Sequence, residues 1–249
     1  MTLLGDDELE RSAVVANCRM NRERNLTGSN GYEKEIGFAP LEFLKARLAP
    51  GRTVTWLDLC CGTGRALIEA AEIVHAEDLG VEIVGVDLVG MFDRPDPDLR
   101  CLRLVETSLS TWRPDRPFDL VTCVHGLHYF GDKLALLARA ASWLVDDGLF
   151  VANLDIANIK LAGDPTGRKL VAGLRRAGLE YDRRRRLVVS RGKTEVGLPF
   201  RYLGADDGAG PNYTRQPAVN SVYEPSDTPR WHAESSIGSG DVQIVVVRK

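Results

Sequence analysis

Two carboxylates, a glycine-punctuated turn and a pair of imidazoles are the groups in this 249-residue chain whose types and spacing could do chemistry. Asp58 stands in the apolar run Val54 to Leu59, and Cys60-Cys61-Gly62-Thr63-Gly64 leads from that run into the stretch Arg65 to His75. A buried strand followed by small residues that open a helix presents backbone N–H groups to a ligand at the carboxyl edge of a sheet. Gly62 and Gly64 let the backbone approach that ligand without a Cβ in the way, and a carboxylate at Asp58 can hold an ammonium group directly or through water. Asp87 closes the run Glu82 to Asp87, where an acidic side chain can accept two hydrogen bonds from the ribose hydroxyls of an adenosine. A further run, Phe118 to Val124, leads into His125-Gly126-Leu127-His128-Tyr129-Phe130. Imidazoles at such a place are candidates for general base or substrate clamp, and a turn-capping His128 beside a packed Tyr129 is an equally open reading.

These groups need a scaffold, and the rest of the chain supplies one. Short Val/Ile/Leu-rich runs at Val54–Leu59, Glu82–Asp87, Cys101–Val105, Phe118–Val124 and Leu149–Leu154 alternate with amphipathic stretches at Arg65–His75, Lys133–Leu144 and Gly167–Ala177. That alternation predicts an α/β fold, Rossmann-like and doubly wound, with a mostly parallel seven-stranded sheet. A helix over Pro40–Ala49 precedes the first strand, ended by Pro50-Gly51. Beyond Tyr181 the pattern changes. Arg186–Ser190 and Thr194–Tyr202 read as an antiparallel C-terminal extension, Gly204–Pro217 as a surface loop, and Asp241–Arg248 as one more strand buried on both faces. The expected organisation is an N-terminal helical lid or arm over residues 1–39, with the polar segment Asn21 to Tyr32 as cover, and a main domain over 40–249. The main domain carries a β-ribbon and loop insertion at about 182–235.

A net charge of -3 and a pI near 5.9 give no general attraction to nucleic acid or anionic membranes. Apolar runs stay short of membrane-spanning length, and Asp6, Asp7, Glu8 and Glu10 occupy the place of the basic segment of a secretory signal, so a cytoplasmic location is expected. Five cysteines, an odd number, argue for reduced thiols rather than a disulfide framework. Cys60-Cys61 lacks the spaced partners of a zinc site, and the Asp206-Asp207-Gly208 loop is simple turn chemistry, so no metal is expected. The basic run Arg183 to Arg186, flanked by Glu180 and Asp182, reads as a solvated strand edge.

Leu57-Asp58-Leu59-Cys60-Cys61-Gly62-Thr63-Gly64, Val84-Gly85-Val86-Asp87, Phe118-Asp119-Leu120-Val121-Thr122-Cys123 and Gly148-Leu149-Phe150-Val151 occur in a familiar order. Over about residues 40 to 155 the chain resembles the class I S-adenosylmethionine-dependent methyltransferases. The resemblance implies S-adenosyl-L-methionine as cofactor, S-adenosyl-L-homocysteine as product, and a small-molecule methyl acceptor. It implies a cofactor site built from Tyr32, Asp58, Cys60, Gly62, Thr63, Gly64, Asp87, Leu88, Thr107, Ser108, Leu109, Val124 and His125, with His125 and His128 as catalytic candidates. Two departures stand out. Cys60 replaces a glycine usual in the family, which is tolerable at negative φ. Ser108 stands where family members often place an Asp against adenine, with Glu106 or Thr107 as alternatives for that contact or an N-cap role for Thr107 or Ser108. The sequence disfavours an amino-methylating RNA or protein enzyme, because Cys123-Val124-His125-Gly126 replaces the Asp/Asn-Pro-Pro-Tyr/Phe tetrapeptide of that branch. It disfavours a nicotinamide enzyme, because Leu67 takes the place of the third small residue of the dinucleotide fingerprint. RNA methylation at another atom and a cofactor-binding protein without methyl transfer remain as alternatives. Monomer or homodimer, the identity of the acceptor and the atom methylated are open.

Overall fold

The computed structural model describes residues 2–16 and 23–231, the last four of these by their backbone alone. The strand predicted over Asp241–Arg248 lies outside the described residues. Strands β1 (Val54–Leu59), β2 (Val81–Asp87), β3 (Leu102–Glu106), β4 (Phe118–Cys123) and β5 (Leu144–Asn153) pair in parallel in the order β3-β2-β1-β4-β5. Every residue of β1 and β4 is buried, as expected of strands covered on both faces. Alternation divides each strand between two cores. Leu57 and Leu59 join Val84, Val86 and Val121 on one face, and Val54 and Trp56 join Ile83 and Leu120 on the other.

The helices cover both faces. Helix α5 (Arg65–Ala76) lays Leu67, Ala70 and Val74 on the Trp56 side, together with α3 (Tyr32–Ile36) and α4 (Pro40–Lys45), while α6 (Lys133–Ser142) covers the Leu57 side through Leu136, Leu137 and Ala140. Two short helices, α1 (Asp6–Glu10) and α2 (Ala13–Ala16), come first in the chain. The order reverses between β1 and β4. In open α/β sheets such a switch point leaves a crevice beyond the carboxyl ends of the strands, where ligands bind.

The C-terminal half differs in part from the sequence expectation. Arg186–Ser190, expected as ribbon, falls largely within Leu187–Arg191, a strand of the main sheet. Strand β6 (Ile159–Leu161) and helix α7 (Arg168–Arg176) are followed by β7 (Glu180–Asp182) and β8 (Leu187–Arg191). β8 pairs antiparallel with β5, completing the seven-stranded order β3-β2-β1-β4-β5-β8-β7. β9 (Gly197–Asp206) and β10 (Asn220–Trp231) join β6 in a separate three-stranded sheet, so Gly204–Asp206 are strand rather than loop. This sheet is tied to the main domain by Lys133, buried at the start of α6, whose Nζ donates at 2.8 Å to Phe130 O, Val219 O and Ser221 Oγ. Desolvation pushes that ammonium down to a pKa of about 7.

Candidate active site

A cavity of about 80 Å3 lies over the carboxyl ends of β2, β1 and β4. Cys60, Asp87, Leu88, Leu109, Val124 and His125 of the sequence-derived set line it. Asp87, 6 % exposed, accepts at Oδ2 from Gly62 N–H (2.9 Å) and at Oδ1 from Val89 N–H (3.0 Å). These two bonds fix the plane of the carboxylate at the cavity wall. Leu88 and Leu109 present apolar surface beside it. The remaining wall joins Tyr129 and Phe130, which the sequence places beside the histidines, to N-terminal residues that it does not single out. Asp6, Leu9 and Glu10 of α1, Val15 of α2, and Tyr129, Phe130 and Gly131 after β4 close the cavity. The acidic N-terminal cluster was legible only as evidence against a secretory signal, because nothing local says that a five-residue helix folds back onto the sheet edge. The described lining holds three carboxylates (Asp6, Glu10 and Asp87) and no lysine or arginine.

That set of anionic acceptors fits a cationic adenosyl sulfonium and would repel a pyrophosphate. The turn between β1 and α5 fits close ligand approach as well. Gly62 and Gly64 have φ of 63° and 75°, and the hydroxyl of the buried Thr63 has no hydrogen-bond partner among the described residues. The condition set for Cys60 is not met: its φ is 57°, in the left-handed region, which costs an L-residue about 1–2 kcal/mol. The neighbouring Gly126 explains how the thiol is accommodated, since a Cβ there would lie 2.3 Å from Cys60 Cβ. A hydrogen bond with Cys123, then burial, raises the Cys60 pKa well above its usual value, so it remains a neutral thiol.

Other expected residues lie behind the cavity wall. Asp58 is fully buried, and its oxygens accept from Tyr32 Oη (2.7 Å) and Thr122 Oγ1 (2.5 Å). Its carboxylate therefore anchors α3 to β1 and does not line the cavity. Burial raises its pKa to about 7 against the lowering effect of the two hydroxyl donors. Tyr32 is buried edge-on to Trp56. Thr107 donates its N–H to Asp87 O, and Ser108 Oγ donates to Glu10 Oε1 at 2.5 Å. Ser108 thus fastens α1 over the cavity.

The two histidines form a chain with a residue the sequence did not single out. His125 Nε2 lies 2.8 Å from Glu35 Oε2, and His125 Nδ1 lies 3.2 Å from His128 Nε2. The hydrogen bond with His125 lowers the Glu35 pKa, so Glu35 is an acceptor and His125 carries its proton on Nε2. His125 Nδ1 then accepts from His128 Nε2–H, so His128 is unprotonated at Nδ1. Burial lowers both histidines below 6.5, His128 strongly, so both rings are neutral near pH 7. Tyr213 lies against both rings, with centroids 6.1 Å from His125 and 5.5 Å from His128. His125 itself has φ of 59° and donates its backbone N–H to Asn153 Oδ1 at 3.2 Å. Strain of this kind in a non-glycine residue is concentrated at functional sites.

A family model described as a methyltransferase domain matches residues 32–179. No curated protein matches the chain. Among solved structures, the DszA carbon methyltransferase is 22 % identical, with 46 % of this chain and 32 % of that one covered and a TM-score of 0.38. The plantazolicin methyltransferase BpumL, in complex with a monoazolic desmethylPZN analog and SAH, is 17 % identical, with 51 % and 48 % covered and a TM-score of 0.38. An S-adenosylmethionine-dependent methyltransferase from Clostridium acetobutylicum ATCC 824 is 21 % identical, with 52 % and 53 % covered and a TM-score of 0.35. The chain therefore spans between a third and just over half of those three chains.

Proposed function

We infer the reaction from one premise: the chain belongs to the methyltransferase domain family, matched over residues 32–179. It moves a methyl group from S-adenosylmethionine to a small organic acceptor and releases S-adenosylhomocysteine. The observation that carries this reading is Asp87, its carboxylate oriented by Gly62 and Val89 N–H groups at the end of β2 on the wall of an acidic cavity. When bound, S-adenosylmethionine supplies an activated methyl on a sulfonium, so the protein's tasks are alignment and exclusion of water. Asp87 would hold the ribose, Leu88 and Leu109 would flank the adenine, and Asp6, Glu10 and Asp87 would favour the cation. The Ser108–Glu10 hydrogen bond holds α1 on the wall of this cavity, so α1 would cover the bound cofactor. The acidic walls and the negative net charge disfavour an RNA acceptor.

Where the acceptor atom carries a proton, the chain Glu35–His125–His128 would take it up at His128 Nδ1. Transfer through His125 would spread the positive charge toward the Glu35 carboxylate. No covalent enzyme intermediate is needed.

Calorimetric titration with S-adenosylhomocysteine tests the reading. Asp87→Ala should weaken binding by at least about tenfold, or 1.4 kcal/mol, whereas His128→Ala should change it far less. Equal affinities in the native protein and Asp87→Ala, or no binding by the native protein, would remove the cofactor assignment.

A further inference from the structure

The basic run Arg183 to Arg186 plays no part in the reaction described above. It forms the tip of the β7–β8 hairpin, with Arg183, Arg184 and Arg185 exposed and Arg186 half-buried. This tip touches both segments that bring partners to the histidines. The Arg185 guanidinium fills the space a side chain at Gly37 would take, directly after α3 and its Glu35. The Arg186 guanidinium lies 4.2 Å from the centroid of the Tyr213 ring, and that ring lies against His125 and His128.

Arg186 reaches this position at a cost, since its φ of 52° is left-handed. Among the described residues no carboxylate lies within salt-bridge distance of its guanidinium. The acidic groups nearby in the chain make backbone contacts instead of ion pairs with it: Asp155 Oδ1 accepts from Ala157 N–H, and Asp182 Oδ1 accepts from the N–H groups of Arg184 and Arg185. A guanidinium stacked on an aromatic face keeps its edge N–H groups free, and that edge matches a carboxylate in bidentate geometry. The arrangement is thus a half-buried cation over the Tyr213 ring, with no ion pair among the described residues and one ring away from the proton-accepting chain.

We propose that Arg186, lying over the Tyr213 ring, is a specificity-determining residue that binds a carboxylate carried by the methyl acceptor, so that the substrate class is a small organic acid. The proposal rests on the methyl-transfer reading, in which the acceptor meets the protein at the His125 and His128 rings. A lysine in place of Arg186 would keep the charge and lose the planar fork, so the site distinguishes the two.

The test uses benzoate and benzamide as probes on the full chain saturated with S-adenosylhomocysteine, followed through the arginine side-chain Nε–H signals in an NMR titration at constant ionic strength. Benzoate should give a saturable shift assigned to Arg186, benzamide at the same concentrations should not, and Arg186→Met should raise the benzoate dissociation constant by at least about tenfold. Arg186→Lys should fall between, and the rim variant Arg183→Gln/Arg184→Gln should stay within about twofold of the native protein. Equal binding of benzoate and benzamide, unchanged benzoate binding in Arg186→Met, an equal loss in the rim variant, or no saturable shift would each overturn the proposal. Calorimetry with S-adenosylhomocysteine on the same samples keeps the two inferences separate. Arg186→Met should bind it as the native protein does, and failure of the native protein to bind it would count against methyl transfer while the probe result still decides the anion site.

Discussion

His125 meets two demands at one position: its backbone adopts a left-handed turn at the end of β4 while its ring bridges Glu35 and His128. The bridge makes a prediction about pH. Burial lowers the His125 pKa and the Glu35 hydrogen bond raises it, so replacing Glu35 with Gln removes the raising influence. The acidic limb of kcat/KM, expected below pH 6.5 in the native enzyme, should move to still lower pH in Glu35→Gln, with kcat reduced by about tenfold or more for an acceptor that loses a proton. A limb that stays in place, or moves up, would show that Glu35 does not act on this ring. The sequence reveals His125 and His128 because they follow an apolar strand in a recognisable order. Glu35 is not legible, because it stands 90 residues from His125 and meets it only once α3 is packed on the sheet. Asp58 shows the converse limit. Its place in the strand is plain from the sequence, but both of its oxygens are taken by Tyr32 and Thr122, and no local pattern announces that pairing.

Elements were legible where one physical signal dominated. The continuous apolar runs of β1, β2 and β4 could be covered only by helices on both faces, and the structure covers them so. Strand β5 was read too short, because Leu144 extends the apolar spacing of α6 and Asp146-Asp147-Gly148 looks like a turn. The chain instead leaves the helix at Trp143 and absorbs those residues in an irregular stretch, with Leu144 opposite Phe118 and Leu149 opposite Leu120. Strand β10 falls inside the β-ribbon and loop insertion expected over about 182–235, but no strand of its own is legible there. It contains Pro225 and Pro229, which cannot donate to a ladder, and the register to β9 shifts between Pro225 and Arg230. The family signal ends near Leu179, so the second sheet and the arginine-tipped hairpin had no resemblance to lean on.

For the molecule as a whole, two buried ionisable groups shape the dependence of stability on pH. Asp58 has a folded pKa raised from 3.8 to about 7, so the folded state binds more protons than the unfolded state between those values and stability falls as pH rises through that window. Lys133 has a folded pKa lowered from 10.5 to about 7, so the unfolded state binds more protons above pH 7 and stability rises again toward pH 10.5. Their joint contribution is least favourable near neutrality, and each accounts for on the order of 4 kcal/mol across its window. Urea denaturation at pH 5, 7 and 9 should show Asp58→Asn gaining on the native protein as pH rises from 5 to 7, with the difference constant above. A difference that does not change between pH 5 and 7 would mean that Asp58 ionises as freely in the folded chain as in the unfolded one.

The hydrogen-bonded line from Tyr32 through Asp58 and Thr122 ends at the indole of Trp56, whose Nε1–H donates to Thr122 Oγ1 at 2.8 Å. This makes Trp56 a native fluorophore wired to the docking of α3. With Trp112, Trp143 and Trp231 replaced by Phe, the remaining emission should report the charge on Asp58, inflecting near pH 7 and losing that inflection in Asp58→Asn. The same light would follow, in real time, any release of Tyr32 from the strand that leads into the Cys60–Gly64 turn.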